Sequence, residues 1–266
     1  NVCNLSCSFC AKTAREQRFI EVKEFAHVLD EVKPFTDYIY LHLMGEPLLH
    51  PQLKALLELC QKHQIKVNLT TNGTRIGAVK DCLLHSPALR KVRFSVHSFE
   101  ANHFNRELEQ YLGDICSFII GAESTPVICE LRLWNGDSES RAGENLLNKE
   151  ILHFLAEKLD TPIPYEENMM GSIKLRDRVF LNFAQIFDSP DADRQDTEDS
   201  MFCYGLHDQI GVLVDGTVVP CCLDHEGSLE LGNLFFTPLA EILSSDRAQR
   251  IYEGFSRRKA VEPLCS

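Results

Sequence analysis

Two periods alternate along the chain. Phe25, Val28, Leu29 and Val32 recur at helical spacing, and so do Leu53, Leu56, Leu57 and Cys60 behind the start signal of Pro51. Between such stretches lie short strand-like runs at 38–43, 65–71, 91–96, 127–134 and 179–183. Helices that alternate with strands, here from about residue 20 to about residue 185, imply repeated β-α units and a parallel sheet. A parallel sheet curled into a barrel or part-barrel carries its chemistry at the C-terminal ends of its strands.

The strands also carry a face pattern, because side chains on a strand alternate with period two. Ile65, Val67 and Leu69 oppose Asn68, Thr70 and Asn72. Val92, Phe94 and Val96 oppose Arg93, Ser95 and His97. Val127, Cys129, Leu131 and Leu133 oppose Glu130 and Arg132. Each strand offers an apolar face to surrounding helices and a polar face elsewhere. A barrel packed for stability alone fills its interior with branched apolar residues. The polar faces therefore predict a lumen for a polar ligand, with solvated edge strands as the plainer alternative. His42 and His97 face inward by the same pattern.

Beyond residue 187 the pattern changes. The stretch 188–199 reads DSPDADRQDTED, acidic and without periodicity, and 135–145 is similar. Both read as surface segments, ahead of a calcium site. Residues 209–214 and 217–220 flank Asp215-Gly216 and read as a β-hairpin with a tight turn. A short helix follows through Leu239, Ile242 and Leu243, with Pro238 at its first position. The expected organisation is a barrel over 1–187, an acidic linker over 188–200 and a small hairpin-plus-helix module over 201–266.

Composition narrows the function classes. The chain has 266 residues, 44% hydrophobic, and a formal net charge of −12. That field suits neither nucleic acid nor an anionic membrane surface. No stretch is apolar enough to span a bilayer, and none reads as a signal peptide. The start at Asn1 and the end at Cys265-Ser266 predict a segment of a longer protein, trimmed at both ends. Eleven cysteines at uneven spacing do not suit a disulfide framework. Their clustering at the two ends points to metal in a reducing, cytoplasmic compartment. Cys60, Cys82, Cys116 and Cys129 lie in apolar patterned segments and are expected as buried small hydrophobes.

The stretch C-N-L-S-C-S-F-C brings Cys3, Cys7 and Cys10 into one loop. A [4Fe–4S] cluster usually takes four thiolates, so three local ones leave one iron open for substrate. Structural zinc needs a fourth ligand, and no His or Cys follows until His27.

This motif, with aromatic Phe9 before the third cysteine, resembles the CxxxCxxC signature of radical S-adenosylmethionine (radical SAM) enzymes. Met44-Gly45-Glu46-Pro47 follows the next strand, where that family has a GGEP-like motif, and Met44 replaces its first glycine. Thr71-Asn72-Gly73 ends the following strand, again as in the family. The resemblance implies a partial (βα)6 TIM-like barrel whose first strand, normally just before the cysteine loop, is absent. It implies that Phe9 lies near the adenine of SAM and that Gly45, Glu46 and Pro47 serve its amino group. It further implies that Asn72 belongs to the site, Ser95 meets the ribose and Arg132 meets the carboxylate.

Cys203, Gly216 and Cys221 form C-x12-G-x4-C across the hairpin, followed by Leu231-Gly232-Asn233. This resembles the start of the SPASM or twitch module, which binds an auxiliary [4Fe–4S] cluster. Cys203, Cys221 and Cys265 are then its ligands, and the fourth lies beyond the chain. Cys222 is read as a non-ligand, because adjacent side chains diverge on a strand. Zinc is the competing reading.

The family resemblance implies reductive cleavage of SAM to a 5′-deoxyadenosyl radical that abstracts hydrogen, with flavodoxin or ferredoxin as electron donor. The substrate expected first is a peptide or protein, as for a maturase; a small molecule, as for a dehydrogenase or tailoring enzyme, is second. A non-catalytic iron–sulfur protein for electron transfer or sensing is the reading of another class. Gly45-Glu46-Pro47 speaks against it, because a pure electron carrier has no use for a SAM-binding strand end.

Overall fold

The computed structural model describes residues 1–11, 13–102, 107–134, 146–166, 169–184, 203–259 and 261–265. The expected linker 188–200 and the acidic stretch 135–145 lie outside the described residues.

Successive β-α units build one six-stranded sheet. Its strands are β1 (Tyr38–Leu41), β2 (Lys66–Thr71), β3 (Leu89–Ser95), β4 (Ile128–Trp134), β5 (Gly171–Arg176) and β6 (Val179–Ala184), in the order β1-β2-β3-β4-β6-β5. The β1-β2, β2-β3, β3-β4 and β4-β6 pairs are parallel, as the alternating pattern predicts. Strand β5 is an addition: it pairs antiparallel with β6 as an edge hairpin. Its sequence GSIKLR has only two apolar side chains, Ile173 and Leu175, and only Leu175 is buried, so its periodicity is faint.

The helices form where apolar stripes meet end signals. Helix α1 (Val22–Val32) starts at a capping box between Glu21 and Glu24 and buries Phe25, Val28, Leu29 and Val32. Helix α2 (Leu53–Lys62) buries Leu53, Leu56, Leu57 and Cys60. Helices α3 (Ile76–Leu84), α4 (Leu108–Ala122) and α5 (Asn148–Lys158) follow their strands in the same way. They cover the apolar face of the sheet, where Val67, Leu69, Val92, Phe94, Leu131 and Leu181 are fully buried. Each such side chain contributes about 1.5–3 kcal/mol by leaving water. Cys60, Cys116 and Cys129 lie in this core, and Cys82 is half-buried at its margin.

The C-terminal part has a three-stranded antiparallel sheet of β7 (Gly211–Val212), β8 (Thr217–Val219) and β9 (Gly232–Asn233). Two helices follow, α6 (Leu239–Leu243) and α7 (Asp246–Ser256). Helix α6 starts one residue later than expected, so Pro238 is its N-cap and not its first residue. Helix α7, not foreseen in the pattern, starts at Ser245, whose side chain accepts the Ala248 N–H, and buries Ala248, Ile251 and Phe255.

This sheet is docked on the barrel through named polar contacts. Glu31 of α1 accepts the Leu239 N–H at 2.7 Å, and His27 meets the Leu234 carbonyl at 2.8 Å. Arg15 reaches the Glu226 carbonyl at 2.8 Å and pairs with Asp215. Val218, Leu231, Leu234 and Ile242 join the same apolar cluster as the barrel helices. Among the described residues no helix is long and apolar enough to cross a membrane.

Candidate active site

The polar strand faces come together around one cavity of about 1060 Å³. Thr70 of β2, Arg93 and Ser95 of β3, and Arg132 and Trp134 of β4 line it, with His42 and Glu46 from the segment after β1. The parallel register places Thr70 beside Arg93 and Ser95 beside Arg132. Phe9 and Cys10 of the cysteine loop close one side. Gln209–Leu213, Cys222 and His225 of the C-terminal module close another.

The cysteine loop hangs on side chains from two β-α connections. Asn102 donates its amide to Cys7 Sγ at 3.1 Å and to the Ser98 carbonyl at 2.7 Å, and it accepts the Ser6 N–H at 3.0 Å. Asn72 donates to Asn4 Oδ1 at 3.0 Å and lies 4.0 Å from Cys3 Sγ. Its backbone carbonyl receives the Tyr111 hydroxyl at 2.8 Å. Burial pushes the Cys7 thiol up; Asn102 opposes that, while the nearby Cys10 and Cys3 add to it. Cys3 is likewise raised by burial.

Gly45 and Glu46 lie directly behind this loop. Gly45 has φ +101°, and a Cβ there would stand 2.9 Å from the backbone of Asn1 and Val2. Only glycine fits that approach. The Glu46 N–H then donates to the Val2 carbonyl at 2.8 Å. The Glu46 carboxylate is buried and held from three directions: by Leu48 N–H at 2.9 Å and Thr71 Oγ1 at 2.7 Å on one oxygen, and by Asn72 N–H at 2.7 Å on the other. Burial nevertheless raises its pKa above the ordinary carboxylate value. A carboxylate offers about four acceptor sites. Three are filled, so one is left for a cation. Pro47 opens the short 3-10 turn that carries the Leu48 donor.

Phe9, His97 and Trp134 form an aromatic wall. His97 stacks on Trp134 at 4.1 Å, and Phe9 meets Trp134 edge-on at 4.2 Å. His97 is buried beside the Arg132 carbonyl, and burial lowers its pKa to about 3. Its ring is neutral at physiological pH. Arg132 projects into the cavity without a hydrogen bond or ion pair from the described residues, and burial lowers its pKa.

In the module, Cys221 and Cys265 are raised by burial, Cys265 to about 12, and each feels the Cys203 thiol. The three side chains therefore lie within electrostatic reach of one another. Asp224 folds the segment behind them by accepting the Ser228 and Leu229 N–H groups at 2.8 Å. Gly216 has φ +87°, and a Cβ there would meet Asn233 and Phe235 within 3 Å. Cys222 turns to the barrel cavity.

Among the described residues no three His, Cys, Asp or Glu side chains close on a single-ion position. Thiolates around a four-iron cluster attach to separate irons and stand further apart than ligands of one ion. Both cysteine sets fit such a group in donor chemistry and mutual proximity.

The structure brings Phe9, Cys10, Glu46, Pro47, Ser95 and Arg132 to one cavity. Gly45 and Asn72 stand one layer behind, against the cysteine loop. Trp134, Asn102 and Asp224 were not singled out by motif. Trp134 continues the Glu130-Arg132 alternation by one step and was legible there; Asn102 and Asp224 leave no periodic signal.

Comparisons with known proteins agree with this geometry. The sequence model of the radical SAM superfamily matches residues 1–112, and that of the SPASM iron–sulfur cluster-binding domain matches residues 203–266. No curated protein matches the sequence. Among solved structures, SuiB of Streptococcus suis bound to precursor peptide SuiA is similar with a TM-score of 0.63 at 16% identity, over 96% of this chain and 65% of SuiB. The chain thus spans just under two thirds of SuiB. Hexahistidine-tagged anSMEcpe with bound AdoMet gives 0.62 at 15% identity, over 99% of this chain and 85% of that one. BtrN in complex with AdoMet and 2-DOIA gives 0.59 at 15% identity, over 99% and 87%. The parallel α/β sheet is therefore the part-barrel of these structures. The chain belongs to the radical SAM superfamily of enzymes and carries a SPASM iron–sulfur cluster-binding domain behind its barrel.

Proposed function

We propose that this chain binds SAM across the C-terminal ends of its barrel strands and uses it to modify a peptide or protein. The observation that carries the reading is the shared cavity: the cysteine loop, the Glu46 strand end and the polar residues Ser95 and Arg132 border one space, with the SPASM module as its opposite wall. When bound, the [4Fe–4S] cluster supplies one electron, from a donor such as flavodoxin or ferredoxin, that splits SAM into methionine and a 5′-deoxyadenosyl radical able to take a hydrogen atom from substrate.

The chain's own residues bind and orient. Cys3, Cys7 and Cys10 would hold the cluster through three thiolates. Glu46 turns its remaining acceptor to the SAM amino group. Ser95 takes a ribose hydroxyl, Arg132 the carboxylate, and Phe9 lies against the adenine. Gly45, Pro47 and Asn72 keep the loop and carboxylate in register. His97 and Trp134 give an apolar, neutral wall that excludes water from the reacting end. Cys203, Cys221 and Cys265 would hold an auxiliary cluster, which would supply an electron acceptor beside the substrate space.

A peptide is favoured by the structures this chain resembles: SuiB and anSMEcpe are known with peptides bound, SuiA and Kp18Cys. The second reading, a small-molecule dehydrogenase, draws on BtrN with 2-DOIA. The test is anaerobic turnover with SAM and a peptide encoded beside the gene, followed by mass spectrometry. The proposal expects 5′-deoxyadenosine and a mass change in the peptide together. Turnover of a small metabolite with the peptide left unchanged would refute it.

A further inference from the structure

The barrel interior holds more positive charge than SAM can use. Lys91, Arg93 and Arg132 come from β3 and β4, which carry one carboxylate among the described residues, Glu130; Arg93 and Arg132 line the cavity. Arg93 donates Nε to Glu130 Oε1 at 2.6 Å and Nη2 to Oε2 at 3.3 Å, and Lys91 pairs with the same carboxylate. Arg93 is thus fixed in orientation. Its Nη1 has no protein partner among the described residues, and the residue lines the cavity. The Arg132 guanidinium makes no hydrogen bond or ion pair among them, and Glu130 acts on it only at longer range. His42 lines the same cavity and feels both guanidinium groups. Drawing cations out of water is costly unless an anion meets them, and this chain carries a formal charge of −12.

We infer that Arg93, with His42 beside it, binds a carboxylate of the substrate, one residue pair deeper in the barrel than the SAM carboxylate. The inference rests on the reading that Arg132 serves SAM. On β3 and β4 Lys91 and Arg93 share Glu130, which leaves one positive unit, and the SAM carboxylate balances Arg132; of the other carboxylates, those on the cavity, Glu46 meets the SAM ammonium and Asp208 lies on the C-terminal module. One unit and one open N–H edge suit a monoanionic carboxylate better than a dianionic phosphate. The carboxylate belongs to a peptide, as an acidic side chain or the C-terminus, or to a free acid.

Trp134, the only tryptophan in the chain, lines the cavity and reports on it directly. The experiment titrates the full chain, with and without SAM, with an amidated Gly-Gly-Glu-Gly-Gly peptide, its Gln analogue and glutarate, following Trp134 emission. A charge-assisted bond predicts that the Glu peptide binds on the order of ten- to a hundredfold tighter than the Gln analogue. Arg93→Gln should erase that difference, and Arg93→Lys should restore part of it, which separates the charge from a folding defect. Glutarate binding as tightly as the Glu peptide assigns the site to a free acid; weaker glutarate binding assigns it to a peptide. Equal binding of the Glu and Gln peptides, binding of neither, or a preference that survives Arg93→Gln would overturn the inference. A wild-type chain that fails to bind SAM yet keeps an Arg93-dependent carboxylate preference would sink the proposed function instead.

Discussion

Glu46→Gln is the substitution whose outcome the structure constrains most tightly. The wild-type carboxylate accepts three protein hydrogen bonds, two on Oε1 and one on Oε2. A glutamine amide in the same rotamer keeps its oxygen toward Leu48 and Thr71, and its NH2 then faces the Asn72 N–H, donor against donor. Leaving that buried N–H unsatisfied costs about 1–3 kcal/mol. Removing a charge that burial disfavours offsets part of this, so the variant should fold with only a modest loss of stability. Binding should suffer more. An ammonium group on the remaining acceptor site is a charge-assisted contact worth about 1.5–3 kcal/mol, or roughly ten- to a hundredfold in affinity. The assay is equilibrium dialysis of SAM against anaerobic protein with its cluster oxidised, beside an iron count. Weakened SAM binding at unchanged iron content is the expected result. A Gln variant that binds SAM as tightly as wild type would refute the assignment.

Three further outcomes follow from single contacts. His97, lowered by burial to about 3, is neutral when folded but gains a proton near 6.5 when unfolded. Between those values the unfolded state binds more protons, so stability falls as pH is lowered, by about 2 kcal/mol from pH 7 to pH 5. His97→Gln should flatten that part of the thermal-stability profile, and parallel profiles would contradict it. Asn102→Ala removes the N–H···S contact to Cys7 and should lower the midpoint potential of the cluster at unchanged iron content, because hydrogen bonds to cluster sulfurs help set the potential; an unchanged midpoint by redox titration would dismiss the contact. Gly216→Ala forces a Cβ into Asn233 and Phe235 at positive φ, which should cost about 1–3 kcal/mol in thermal denaturation; an unchanged melting temperature would count against the turn geometry.

Much of this arrangement was legible in the chain because parallel strands write their two faces as a period of two. Arg93, Ser95 and Arg132 were placed on the inner face from alternation alone, and they line the cavity. Cys3, Cys7 and Cys10 were legible as a group because three cysteines within eight residues share one loop. Strand β5 was not, because a half-solvated edge needs few apolar residues. Helix α7 has a clear stripe and a serine cap, but it follows α6 with only two residues between them, so one helical signal masks the other. Asn102 was beyond reach for another reason. Its partners Cys7 and Ser6 lie some 95 positions away, and a contact set by the fold leaves no trace in local spacing. Glu46 was found by motif, but its three donors come from Leu48, Thr71 and Asn72, and the last two become neighbours only when β2 lies beside β1.

The central claim is that the Cys3, Cys7 and Cys10 loop and the Glu46 strand end together activate SAM. The most direct measurement is 5′-deoxyadenosine formation by anaerobically reconstituted full-length protein given SAM and a strong reductant, beside a Cys7→Ala variant. The account predicts product from the wild type and none from the variant. No product from wild-type protein with an intact cluster, or continued turnover by Cys7→Ala, would contradict it.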